Sequence, residues 1–129
     1  MISDDDRKAL IAYRIQQANE TIELAEFLKD AGKFVIAINR IYYGMYYALT
    51  ALALKNKFET SKHSKLIGWF NKEFIATNIL NKENGKILRL AFQKRTKGDY
   101  DAFVEFSKTE VCEMINGMKQ FIRDIERLI

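Results

Sequence analysis

The chain contains no proline, one cysteine, one histidine and six glycines among its 129 residues. Each scarcity excludes something. Proline removes a backbone donor and clashes inside helices, so its absence leaves long uninterrupted helices open. A single cysteine, Cys112, forbids an intrachain disulfide. Its neighbours Val111 and Met114 suggest a small core thiol, and no adjacent residue argues for a nucleophile. One histidine and one cysteine far apart cannot supply the usual zinc tetrahedron. There is no Glu-x-x-His pair of a di-iron bundle, no glycine-rich phosphate loop and no Gly-x-Ser-x-Gly elbow. No metal and no cofactor are expected. Serine-type catalysis would rest on His63 alone, and the first turn of a helix gives it a surface or capping role. No apolar run approaches the ~20 residues of a membrane span. The longest, near Ile41–Leu54, is interrupted by Gly44 and Thr50. The start, Met1–Arg7, is acidic and lacks an apolar targeting core. The expectation is a cytoplasmic protein that does not engage a membrane.

What is present reads as one folded domain, residues 1–129. Hydrophobic residues make up 48% and charged ones 29%, which argues against disorder. A chain of this length buries roughly two-thirds of its unfolded surface and needs no staple. The formal net charge is +4, unevenly spread. Between Lys55 and Lys97 there are eleven Lys/Arg and three Asp/Glu; the remainder holds ten and fourteen. A basic middle between acidic ends suggests an anionic partner or a complementary protein surface, or else a solvated lysine-rich face.

The periodicity predicts an all-α fold: an antiparallel bundle of four to five helices around an apolar central second helix. The first helix is expected over Ser3–Asp30, with Ser3 as cap, Asp4–Asp6 in the first turn and Gly32 as stop. Its apolar stripe is Ile11, Ile15, Ala18, Ile22 and Ala25. The second, Lys33–Lys57, carries two stripes, one through Phe34, Ile38, Ile41, Met45, Ala48 and Leu52, the other through Val35, Tyr42, Tyr46, Leu49 and Ala53. Two stripes place it centrally. Gly44 sits among four tyrosines at a cost of about 1 kcal/mol in helix propensity, which a close helix approach within the bundle or across a dimer would offset. A third helix is expected over Lys62–Ala76 with Ser61 as cap, and Leu66, Trp69, Phe70 and Phe74 on its apolar face. Then come a loop over Asn78–Asn84, a helix over Gly85–Lys97 stopped by Gly98, and a last helix over Tyr100–Leu128 capped by Asp99.

Two places stand out as candidate sites. Arg40 lies within the apolar second helix, where an unpaired guanidinium is costly, so it must snorkel or pair with a carboxylate, a carbonyl or an anionic ligand. Asn39 adds a polar group beside it. The segment Arg95-Thr-Lys-Gly-Asp-Tyr100 sets cations at a helix end before an acid and a phenol. Lys94 and Arg95 could hold a phosphate; capping and an Arg95–Asp99 pair is the plainer reading.

The run Asn39-Arg-Ile-Tyr-Tyr-Gly-Met-Tyr-Tyr-Ala48 resembles the second-helix signature of HEPN domains. Lys62-His-Ser-Lys-Leu-Ile-Gly-Trp-Phe-Asn71 and Arg95-x-x-x-Asp-Tyr100 resemble two further landmarks of that family. The resemblance spans about Arg7 to Leu128. It implies a helical bundle, usually homodimeric, from a prokaryotic toxin–antitoxin or defence pair, whose partner is a minimal nucleotidyltransferase. Many HEPN members are metal-independent ribonucleases with an arginine followed four to six residues later by histidine. Here the only histidine, His63, is preceded by no arginine at that interval, and the position that would match the histidine after Arg95 holds Tyr100. Phenol, with a pKa near 10, is a poor general base where imidazole, near 6.5, is a good one. The reading therefore leans away from catalysis. It is a binding module for nucleotide or RNA, with Arg40, Lys94, Arg95 and Tyr100 as ligand-binding residues. The alternatives are a ribonuclease using Arg95 with Asp99 or Tyr100, and a purely structural dimerisation domain.

Overall fold

The computed structural model describes residues 2–129. Five α-helices occur among these residues, and no strand. Helix α1 (Asp4–Asp30) starts on Ser3, whose Oγ accepts from the Asp6 amide at 3.1 Å. Gly32 takes the left-handed conformation (φ 74°) that closes the helix, a geometry that side-chain-bearing residues disfavour. Helix α2 (Phe34–Lys55) follows after one tight turn. It is the core element: Ile38, Ile41, Tyr42, Met45, Leu49 and Leu52 are all fully buried. Helices α1, α3, α4 and α5 all pack against it. Of its second stripe, Tyr42, Leu49 and Ala53 are buried, whereas Tyr46 is half-buried and Val35 lies at the surface.

Helix α3 (His63–Phe70) continues through a single π turn, Asn71–Ile75, closed by the Ala76 amide donating to the Asn71 carbonyl. Ser61 does not cap it. The cap position is Lys62, without a side-chain bond, and the Lys62 amide donates instead to Thr60 Oγ1. Phe70 and Phe74 are buried; Trp69 is half-buried and stacked on Phe58 at 4.8 Å. Helix α4 (Lys82–Tyr100) begins earlier than its apolar pattern suggests, because Asn81 Oδ1 accepts from the Glu83 amide. It also runs through Gly98. A Cβ at that position would lie 3.3 Å from Val35 Cγ1, so close packing there outweighs the glycine's helix-breaking tendency of about 1 kcal/mol. Helix α5 (Lys108–Glu126) therefore starts late, capped by Ser107 and not by Asp99.

The close approach at Gly44 is internal. A Cβ there would meet Met118 of α5 and Thr21 of α1, so this glycine supplies no surface for a second copy. Cys112 is half-buried on α5. Among the described residues, no helix is long and apolar enough to cross a membrane.

Candidate functional site: an arginine on an aromatic floor

Helix α2 presents Asn39, Arg40, Tyr42, Tyr43 and Tyr46 where α3 begins and α4 ends. Tyr42 is fully buried. Its hydroxyl shares a 2.7 Å hydrogen bond with His63 Nδ1, which fixes the imidazole at the start of α3. The His63 ring stacks on Tyr46 at 4.2 Å with an interplanar angle of 10°. From α4, the Arg95 guanidinium lies 4.7 Å from the Tyr42 ring centre, 5.4 Å from that of Tyr43 and 5.5 Å from that of Phe92. Such contacts hold a cation by the negative faces of the rings and leave its N–H groups largely uncommitted.

Arg95 has one carboxylate neighbour. Its Nη1 donates to Asp99 Oδ2 at 3.3 Å, a long contact between side chains that are 13% and 30% exposed. Its Nε is buried and has no hydrogen-bond partner among the described residues. The other Asp99 oxygen accepts from Asn39 Nδ2 at 3.3 Å, and Asn39 Oδ1 accepts two bonds from Arg40, at 3.1 and 2.8 Å. Arg40 also lies over the Tyr43 ring at 5.1 Å. A polar chain Arg40–Asn39–Asp99–Arg95 thus rims the aromatic floor.

The electrostatics follow from this geometry. Burial pushes the Tyr42 phenol up to about 12, although the Arg95 charge pulls the other way. Burial also raises Tyr46. His63 is lowered below its ordinary value, first by burial and then by the Arg95 charge, so it is neutral at neutral pH. Burial alone would lower Arg95; the Asp99 bond and the two facing phenols more than reverse that, and it stays charged. The site is a fixed cation beside a neutral imidazole. When His63 Nδ1–H donates to the phenol oxygen, the lone pair of Nε2 is free to accept a proton. No group of three or more metal-ligating side chains occurs among the described residues.

The structure brings Arg40, Arg95 and Asp99 together. Lys94 faces elsewhere: it pairs with Glu110 at 2.8 Å and lies over Phe106. Tyr100, the last residue of α4, is 82% exposed. The residues that sequence reasoning left out of the site are Tyr42, Tyr43 and His63. Their signal was the tyrosine run itself, four rings on one helix with the only histidine in the following helix.

The comparisons with known proteins agree with this architecture. Residues 11–128 match the HEPN domain. The chain is 36% identical over 125 residues to a UPF0332 protein of Thermotoga maritima, covering 97% of this chain and 95% of that one. It is 38% identical over 115 residues to a protein of Methanocaldococcus jannaschii named "Putative toxin", covering 89% and 78%. A second protein of that organism with the same kind of name is 26% identical over 100 residues, covering 78% and 74%. The chain belongs to the HEPN family.

Proposed function

We propose that this protein is the toxin-like, RNA-binding half of a cytoplasmic toxin–antitoxin or defence pair, working as a homodimer alongside a minimal nucleotidyltransferase. Arg95 supports this reading most directly. A guanidinium 13% exposed, held by three aromatic rings and a single long carboxylate contact, keeps donors for a phosphate. Arg40 supplies a second cation at the rim. The relatives named as toxins, and the partner habit of the family, supply the biological setting.

The test is fluorescence anisotropy of a labelled single-stranded RNA at low salt, for the wild type and for Arg95→Ala. Binding that Arg95→Ala weakens by roughly tenfold or more supports the reading, since charged hydrogen bonds are worth about 1.5–3 kcal/mol. Absence of binding at low salt sinks it.

One observation favours a second reading, ribonuclease activity. His63 and Arg95 both lie against the Tyr42 ring, and the Tyr42 hydroxyl holds His63 Nδ1, so an imidazole whose pKa is lowered by burial and by Arg95 stands beside a fixed cation. It would take the proton of a 2′-hydroxyl as that oxygen attacks the neighbouring phosphorus. Arg95 would stabilise the developing charge, and the imidazolium would return the proton to the departing 5′-oxygen. A gel of the same RNA distinguishes the two: cleavage lost in both His63→Gln and Arg95→Ala supports catalysis, and intact RNA supports binding alone.

A further inference from the structure

A groove of about 540 Å³ runs between α3 with its π turn and the N-terminal two-thirds of α4. Its charge comes from one helix. Lys82, Lys86 and Arg89 recur at i, i+4 and i+7 along α4 and line it together, about 6 and 4.5 Å apart along the axis. None of the three has an ion-pair partner among the described residues, whereas Lys94 and Arg95 further along the same helix both do. The floor is apolar, made by Ile67, Ile75 and Phe92. Two glycines keep it open. A Cβ at Gly68 would meet nothing within 4 Å, and one at Gly85 would touch Ile75 and Asn71.

The groove leads to the site already described. Ser64, in its wall, follows His63 in the chain, and Phe92, at its end, is the ring beneath Arg95 and against Tyr42. We infer that this groove is the track for the flank of a single-stranded RNA whose central phosphate sits at Arg95. The inference rests on the RNA-binding reading. Three unpaired cations spaced on the scale of consecutive backbone phosphates suit a polyanion. The apolar floor, with the Phe92 ring at its end, offers contact to the faces of unstacked bases, which a duplex hides from a protein. A protein partner with an acidic surface would use the same cations without needing a floor that accepts bases.

The test compares labelled single-stranded RNAs of about two and about eight nucleotides across a salt series. Four proteins are needed besides the wild type. The triple change Lys82→Gln, Lys86→Gln, Arg89→Gln removes the cations. Gly68→Leu fills the groove without touching a charge, at an exposed position where a good helix former should hold or raise the melting temperature. Lys8→Gln, Lys33→Gln, Arg123→Gln makes the same change in net charge at exposed positions elsewhere. Arg95→Ala reports on the site itself.

The wild type should gain roughly tenfold in affinity with the longer RNA, with a salt dependence that is roughly two log units per log unit steeper than in the triple groove variant. Both groove variants should lose that gain and the control triple should keep it, while Arg95→Ala weakens both lengths. A length gain that survives in the groove variants, or is lost equally in the control, overturns the inference, as does tighter binding of duplex RNA. A wild type that binds both lengths equally, in an Arg95-dependent way, overturns the track and leaves the RNA-binding reading standing. No binding of either length removes both.

Discussion

Tyr42 and His63, 21 residues apart in the chain, share a 2.7 Å hydrogen bond at the junction of α2 and α3. The bond ties the only imidazole to the buried core, because Tyr42 is fully enclosed. Replacing Tyr42 by phenylalanine keeps the ring under Arg95 and removes only the hydroxyl. The expected cost in stability is about 1 kcal/mol, the net worth of one such bond. RNA binding through Arg95 should persist, and any cleavage that depends on the orientation of His63 should fall. Urea denaturation and a cleavage gel on the same preparation check both halves.

The lowered pKa of His63 gives a pH dependence with a defined sign. The native state resists protonating this ring, by burial first and by the Arg95 charge second. The unfolded chain therefore binds the proton more readily. Its contribution to stability is complete above the ordinary value near 6.5 and is lost as pH falls through the lower native value. The stability of the wild type should drop between neutral and mildly acidic pH by more than that of His63→Gln. The NMR titration midpoint of His63 should lie below 6.5, and should rise in Arg95→Ala. An unshifted midpoint would count against the enclosed geometry.

Gly44→Ala tests the internal contact among α1, α2 and α5. The added methyl would collide with the flexible end of the fully buried Met118 side chain, which must shift, and would crowd Thr21 at 3.1 Å. Overpacking costs about 1–3 kcal/mol, and the better helix propensity of alanine returns about 1 kcal/mol. The net expectation is a loss of up to about 2 kcal/mol with no change in oligomeric state, measured by denaturation and light scattering. A change from dimer to monomer would move Gly44 from the bundle interior to an interface.

The central helix was legible because Ile38, Ile41, Met45 and Leu49 repeat at helical spacing regardless of context. The Ser3 cap was legible too, whereas the equally local caps at Asn81 and Ser107 were not, because Asn81 sits in a polar run that reads as loop and Ser107 in a stretch that reads as helix interior. Gly98 was not: its packing against Val35, 63 positions away, lets the helix run on where local propensity suggests a stop. In the site, Arg40, Arg95 and Asp99 could be singled out as charges in apolar or terminal places. Lys94 looked equivalent to Arg95, but adjacent residues on a helix point about 100° apart, so one reaches the aromatic floor and the other Glu110. His63 was hidden because its partners come from α2 and α4, and no periodicity relates it to Tyr42 or Arg95.

Arg95→Lys separates charge from shape at the site. Both side chains carry one positive charge, so the attraction of the whole protein for a polyanion should be almost unchanged. Lysine, however, is a compact and strongly hydrated point charge, whereas the guanidinium is a plane that lies on rings and donates through a fork. At position 95 the side chain is 13% exposed and bounded by Tyr42, Tyr43 and Phe92. An ammonium there would lose both the flat contact and the paired donors. RNA affinity should fall by roughly tenfold, as for the loss of a charged hydrogen bond, while the salt dependence changes by less than one contact's worth, about 0.7 in log–log slope. The His63 midpoint should stay below 6.5, since burial, its larger cause, is retained. Anisotropy across a salt series reads the first two quantities and NMR the third. Full affinity in Arg95→Lys would mean that a point charge suffices, and the aromatic floor would then serve packing alone.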